Sequence, residues 1–204
     1  MQRRAQRRLR LVLTGVPGTG KSTLARKLAE KLGCEDVDAS EFIKQHHLYS
    51  KRLPTGELIV KMNAAERALG NFLANLAEKK SFVAHGHILC EMHVPCDAAV
   101  VLRCSPRVLL KRLEARRYRA EKVQENMLAE VLDYCLLKAT LNYRSVLQID
   151  NTKPISVDEL LERIRSGKSD AVDYSRVLTE DNSVSRLLRS AERVRASKST
   201  KTYA

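Results

Sequence analysis

The 204 residues are 44% hydrophobic and 30% charged, with a formal charge of +13, enough apolar content for one sizeable core plus tails. No apolar run approaches the ~18 residues a membrane span needs, so no membrane partner is expected. Five cysteines, odd in number and scattered at 34, 90, 96, 104 and 135, argue against a disulfide framework and fit a reducing cytoplasm. Met1 to Arg10 holds five arginines without an apolar segment, so residues 1–8 are expected to form a basic arm rather than a secretory leader.

Leu9–Thr14 (LRLVLT) is expected to be a buried strand, followed by Gly15-Val16-Pro17-Gly18-Thr19-Gly20-Lys21-Ser22-Thr23 and a helix over Lys21–Leu32 with Leu24, Leu28 and Leu32 at helical spacing. Strand, Gly-x-x-x-x-Gly-Lys-Ser and helix in that order are the context of a phosphate-binding loop. Glycines let backbone N–H groups approach a triphosphate, and the helix N-terminus adds its positive end. Gly18, Gly20, Lys21, Ser22 and Thr23 are therefore candidate ATP contacts. Lys21 is assigned to the β- and γ-phosphates, and the Ser22 hydroxyl to Mg2+.

A short strand at Cys34–Val37 leads to Asp38-Ala39-Ser40-Glu41 and a short helix. Lys51–Gly56, with Pro54 and Gly56, is expected to be a loop. Glu57–Lys79 has helical apolar spacing through Leu58, Met62, Ala65, Leu69, Phe72, Leu73 and Leu76. Ser81–Ala84 is a strand ending in His85-Gly86-His87, and Ala98–Leu102 another, buried on both faces. Ser105-Pro106 opens a helix to Arg116 with serine as cap and proline first in the helix. A second long helix is expected over Glu121–Thr140, then a last strand at Val146–Ile149. Ser156-Val157-Asp158-Glu159 is a capping box, with Ile155 and Leu160 as its staple, for a helix to about Arg165. Five strands alternating with helices predict an α/β phosphate-loop NTPase fold, a five-stranded parallel sheet covered on both faces. Past Gly167 serine is frequent and only Val184–Val194 keeps a weak helical stripe, so 166–204 is expected to be a basic, partly disordered or helical extension.

Within a core of residues 9–165, no Asn-Lys-x-Asp guanine signature occurs, which leaves a small kinase of nucleotides or metabolites. Such an enzyme needs an acceptor pocket and a basic lid that excludes water. The lid candidate is Leu113-Glu114-Ala115-Arg116-Arg117-Tyr118, within a lid spanning residues 115–125. Arg116 is placed against the transferring phosphoryl, with Arg112 and Arg117 as weaker candidates. Charge is clustered: Arg103–Lys122 has eight basic and two acidic residues, and 166–204 has eight and five. An anionic partner larger than one nucleotide, RNA first, or merely solvated ends and a nucleotide lid would both account for it.

The phosphate loop, His85-Gly86-His87, Val100-Val101-Leu102-Arg103 before a proline-capped helix, Leu113-Glu114-Ala115-Arg116-Arg117-Tyr118, and Lys122 to Glu130 together resemble the atypical adenylate kinases over residues 9–165. That resemblance implies ATP- and AMP-directed phosphoryl transfer with some ATPase activity. It also implies a part in small-ribosomal-subunit maturation, with a platform ribosomal protein and rRNA as partners. It places Asp38, Ser40 and Glu41 in a monophosphate-binding region (38–61), Arg116 as the lid arginine, His87 as the histidine after the third strand, and Asn151, Thr152 or Lys153 at the adenine turn. Where the family commonly has an acidic residue two before that histidine, this chain has His85, so Mg2+ rests on Ser22 and phosphates or on a substitute carboxylate such as Glu91 or Asp38.

Other readings of the same residues compete with these, a helix cap for one group and a metal site for another. The second lies on a segment that must leave one strand and return to the next, so its side chains need not converge. Asp38, Ser40 and Glu41 are also what an ordinary helix N-terminus uses. His85, His87, Cys90, His93 and Cys96 lie within twelve residues, with His-x-x-Cys twice, and are candidate zinc ligands. An ATP-gated assembly factor with incidental kinase activity, or a kinase of another small metabolite, shares the same loop.

Overall fold

Along β1 (Arg10–Thr14), Leu11 and Leu13 face one apolar layer while Val12 faces the other. This is the alternation of a strand buried on both sides. The computed structural model describes residues 8–179 and 184–188. In chain order there follow α1 (Lys21–Leu32), β2 (Glu35–Asp38), α2 (Ala39–Gln45), β3 (Tyr49–Arg52), β4 (Leu58–Val60), α3 (Met62–Ala77), β5 (Phe82–His85), β6 (Ala98–Arg103), α4 (Pro106–Ala115), α5 (Ala120–Val131), α6 (Tyr134–Asn142), β7 (Val146–Asp150) and α7 (Val157–Ser166). Single 3-10 turns occupy Ile88–Glu91 and Ser175–Leu178.

The main sheet has the order β2-β5-β1-β6-β7, all parallel. Leu24 and Leu28 of α1 and Leu160 and Leu161 of α7 cover one face. Leu69, Leu73, Leu109, Met127 and Ala139 of α3 to α6 cover the other. The strand order reverses at β1, so a crevice opens at the carboxyl ends of the strands beside it, where α/β sheets bind ligands. Register brings Leu13 opposite His85 and Arg103 opposite Asp150. The segments after β1, β5, β6 and β7 thus meet at one edge.

Three expectations change. Residues 57–61 are not the start of a helix: β3 and β4 form an antiparallel hairpin, and α3 begins at Met62. Its turn is closed by Gly56 N–H to Leu53 O (2.8 Å) and Leu53 N–H to Glu57 O (2.8 Å), with Gly56 at φ 86°. The predicted helix 121–140 is two helices, broken where Asp133 takes φ 55° and its carboxylate meets the Arg103 guanidinium at 2.5 Å. Ser105 holds the cap position of α4 but its hydroxyl makes no capping bond, whereas Ser156 Oγ does accept from Glu159 N–H at 3.1 Å.

Residues beyond α7 stay on the domain. Ser169 and Asp170 bond along β7, with Asp170 N–H to Gln148 O at 2.8 Å, and Tyr174 lies 5.3 Å from the Arg103 guanidinium. Residues 184–188 are helical, with Val184 and Leu188 buried in the α5 side of the core. The rest of the predicted stripe to Val194, and the arm over 1–7, lie outside the described residues.

Candidate active site

The loop between β1 and α1 is shaped by backbone that only glycine takes without strain. Gly15, Gly18 and Gly20 have φ 134°, 94° and 100°. A methyl at Gly15 would sit 2.4 Å from the Leu102 carbonyl oxygen, so the loop is laid directly on the end of β6. Lys21 is the first residue of α1 and is only 8% exposed, its Nζ donating to Val16 O at 2.9 Å. Burial pushes its ammonium down from 10.5 to about 8, and the nearby Arg116 charge adds to the effect against opposing thiol and carboxylate groups. An anion delivered here would relieve that cost. Ser22 and Thr23, next on the helix, are exposed.

Two residues that spacing did not single out as structural supports hold the loop. Asn151 Nδ2 donates to Thr19 O at 2.7 Å, while its Oδ1 accepts from Ile155 N–H at 2.9 Å. Arg112 donates to Gly18 O (3.3 Å), Asn151 O (3.3 Å) and Thr152 O (3.0 Å), tying α4 to the loop and to the turn after β7. Lys153 is exposed just past that turn, so Asn151 is the residue of the three that reaches the loop.

After β5 the two histidines part. His85 is buried, and its Nε2 lies 3.3 Å from Asp36 Oδ1 on the neighbouring strand. His87 Nδ1 is 3.2 Å from Gly15 O. A carbonyl can only accept, so Nδ1 carries the proton and Nε2 keeps its lone pair. Burial, then the positive charge of Lys21, lowers the His87 pKa below 6.5, which keeps the ring neutral at pH 7. Cys135 Sγ lies 3.4 Å from the same Nδ1. His93 turns away to Asn142 O, 2.5 Å distant, and is exposed.

The segment expected to serve as a lid leaves α4 at Arg116, which is exposed, and passes Arg117 at φ 55° before α5. Its far side is fixed by a buried pair: Arg103 Nε donates to Glu130 Oε1 at 2.9 Å, both side chains nearly inaccessible. Glu130 also accepts from Cys104 N–H at 2.9 Å, and Arg103 reaches Glu130 O and Gln148 Oε1 as well. Burial raises the Glu130 pKa while Arg103 and the Cys104 amide oppose it. α5 is thereby pinned to β6 and β7.

Between α2, the β3–β4 hairpin and the α4–α5 segment lies a cavity of about 900 Å3, lined by Ser40, Lys44, Glu57, Arg117, Tyr118 and Lys122 among others. Lys122 Nζ bridges to Glu57 Oε1 at 2.8 Å, joining α5 to the hairpin across it. Burial alone would lower the Lys122 pKa; Glu57 and Glu125 overcome that and raise it. Of the predicted acceptor residues, Ser40 lines the cavity. The Asp38 carboxylate is spent capping α2, accepting from Ser40 N–H (2.8 Å) and Glu41 N–H (3.2 Å), and Glu41 is exposed and paired with Lys44 at 3.6 Å.

Residues 11–133 match a family model described as an AAA domain. Three archaeal relatives carry the name "Putative adenylate kinase". That of Pyrococcus furiosus is 34% identical over 83% of this chain and 93% of its own length. Those of Methanocaldococcus jannaschii and Pyrococcus abyssi are 33% identical over 78% and 88%, and 35% over 83% and 93%, of the respective chains. The chain belongs to the atypical adenylate kinase family. Among solved structures, shikimate kinase from Bacteroides thetaiotaomicron (TM-score 0.52, 19% identity, 78% of this chain, 96% of that one) shares the fold. So does a sugar kinase from Janibacter sp. (TM-score 0.50, 20% identity, 78% and 93%).

In this adenylate kinase family member, the position where the resemblance led to an acidic residue is His85, committed to Asp36 rather than to the loop. The structure gathers Lys21, His87 and Arg112 with the loop, and leaves Arg116 exposed at the end of α4. No described helix is long and apolar enough to cross a membrane.

Proposed function

We propose that the chain transfers the γ-phosphoryl group of Mg·ATP to AMP. The observation that carries this reading is the cavity walled jointly by α2, the hairpin and the lid segment. An ATPase that uses water needs no such space, whereas a kinase must hold an acceptor beside the phosphate loop. The choice of AMP among acceptors is supported by the name of the archaeal relatives.

In this mechanism the amides at Gly18, Gly20 and the head of α1 hold the β-phosphate, and Lys21 follows the group in flight. A Cβ at Gly20 would collide with Asn151 Nδ2 at 2.5 Å, so glycine there is what lets Asn151 brace the loop from behind. The exposed Ser22 hydroxyl is the oxygen donor for Mg2+. Magnesium held there would supply charge neutralisation to the polyphosphate. Arg116 closes over the γ-phosphoryl and stabilises its spreading charge. Neutral His87, its Nδ1 given to Gly15 O, keeps Nε2 as a hydrogen-bond acceptor for a water or a protonated oxygen of the acceptor's phosphate. Ser40 and Lys44 bind the acceptor's phosphate and ribose side, with Asp38 and Glu41 fixing the start of α2. Asn151 and Thr152, with Lys153 at the rim, border the adenine side of the donor.

The test is ADP formation from ATP with and without AMP, CMP or dephospho-coenzyme A. AMP-dependent ADP supports the reading; equal ADP with and without any acceptor overturns it. A second role, ATP-gated assistance to small-subunit maturation through a platform ribosomal protein and rRNA, is supported by the exposed Arg107, Lys111, Arg116, Arg117 and Arg119 on one stretch. Nucleotide-dependent, salt-sensitive capture of small-subunit RNA or protein tests it.

A further inference from the structure

Three donors from separate parts of the chain converge under the phosphate loop. His87 follows β5, Cys90 lies on the 3-10 turn Ile88–Glu91, and Cys135 lies in the first turn of α6. One ligand atom from each lies within 4.8 Å of the others. His87 Nδ1 and Cys135 Sγ are 3.4 Å apart, close to the edge of roughly 3.5 Å expected between an imidazole nitrogen and a thiolate on one tetrahedral zinc. Both cysteines are buried free thiols. Local spacing pointed to His93 and Cys96 as the partners of His87 and Cys90. Instead His93 binds Asn142 O, and the third soft ligand comes from 48 residues along the chain.

The scaffold around the three is already tied. Asn142 Nδ2 donates to Cys90 O at 2.9 Å and Tyr143 Oη to Leu89 O at 2.7 Å, docking α6 onto the 3-10 turn. Ligands held in place by their own elements lose little entropy on capturing an ion.

We propose that His87, Cys90 and Cys135 form a zinc(II) site whose occupation switches off the phosphate loop. The chemistry balances simply: Zn2+ displaces two thiol protons to solvent, and the two thiolates neutralise it, so no net charge is added beside the Lys21 ammonium. Three protein ligands leave a fourth position for water. Coordination through Nδ1 takes the lone pair at the atom that now donates to Gly15 O at 3.2 Å. The ring proton moves to Nε2, the carbonyl of Gly15 loses its donor, and Nε2 loses its acceptor function. Zinc loading therefore disturbs the loop at its first glycine and removes the neutral acceptor in one step.

Cobalt(II) titrated into the full-length, reduced protein reads the site without reference to turnover. The expected result is a thiolate-to-cobalt charge-transfer band saturating at one equivalent, abolished by added zinc, lost in C90S and in C135S, and retained in C34S and C96S. X-ray absorption of the zinc-loaded wild type should show two sulfurs and one imidazole nitrogen, which keeps the test available if either serine variant fails to fold. Absence of the charge-transfer band in folded protein, its survival in both C90S and C135S, or a zinc shell of oxygen and nitrogen alone overturns the site. The switching effect rests on the kinase reading and is measured separately, as loss of ADP formation at one equivalent of zinc that a chelator restores. If ADP formation is absent without zinc, that reading fails while the cobalt spectrum still decides the site; if turnover is untouched by a bound ion, the switch fails alone.

Discussion

Replacing Lys21 by methionine should stabilise the empty protein while destroying its function. Methionine has nearly the volume of the lysine stem, so little packing is lost. Keeping the buried ammonium charged is costly: its pKa falls from 10.5 to about 8, and at about 1.4 kcal/mol per pKa unit this is about 3 kcal/mol at neutral pH. Against it stands the bond from Nζ to Val16 O, worth about 1.5 kcal/mol for a charged donor. The variant should therefore gain about 2 kcal/mol at pH 7, or roughly 4–8 °C in Tm for a chain of this size. The advantage depends on pH. Between pH 8 and 10.5 the unfolded lysine still holds its proton while the folded one has lost it, so wild-type stability rises with pH. The variant's advantage should shrink through that window and vanish by about pH 10. Saturating Mg·ATP should stabilise the wild type, by about 2.7 kcal/mol at a hundredfold excess over Kd, and leave the variant unmoved. Urea unfolding of both proteins at pH 7, 8, 9 and 10, with and without nucleotide, measures all of this. A variant less stable than wild type at pH 7, or a gap that does not change between pH 8 and 10, refutes the idea that the loop lysine is a strained charge awaiting an anion.

Arg116→Ala should lower kcat about 10²–10³-fold while the Kd for Mg·ATP changes by less than tenfold, because its charge is needed when negative charge spreads in transfer; an unchanged kcat by ADP assay removes it from the mechanism. Arg103→Ala leaves Glu130 charged and nearly inaccessible, which should cost about 3–5 kcal/mol, and the double change Arg103→Met with Glu130→Leu should recover part of it. Thermal unfolding of both checks this, and a single variant with wild-type Tm contradicts it. Gly15→Ala puts a methyl against the Leu102 carbonyl in a backbone conformation alanine avoids, so about 2–4 kcal/mol of stability should go, read as a fall in the urea midpoint; Gly33→Ala, with open space at its Cβ, isolates the backbone strain from the collision.

Much of the architecture was legible because its signals are local. LRLVLT before the glycine loop, the stripe of Leu24 and Leu28, and the Ser156 cap each act within one turn or one strand, and each is found in place. The α5–α6 break was hidden because no glycine or proline marks it; Asp133 enters the left-handed region where its carboxylate meets Arg103, 30 residues away. The hairpin was hidden for the opposite reason, since Leu58 and Met62 continue the helical spacing of α3 although Gly56 closes a turn just before them. Asp38 illustrates the same limit within the site: its position suited both a ligand contact and a helix cap, and hydrogen-bond geometry shows the cap.

What the amino-acid order determined by itself is the phosphate loop and the alternation that seats it, since glycine conformations, strand period and helix period are properties of neighbouring residues. Tertiary structure alone decided how strongly Lys21 is buried, that Arg112 and Asn151 brace the loop, and that Cys135 rather than Cys96 stands beside His87. Those are distances between groups far apart in the chain. Burial and convergence depend on which faces pack together, and no local pattern encodes that.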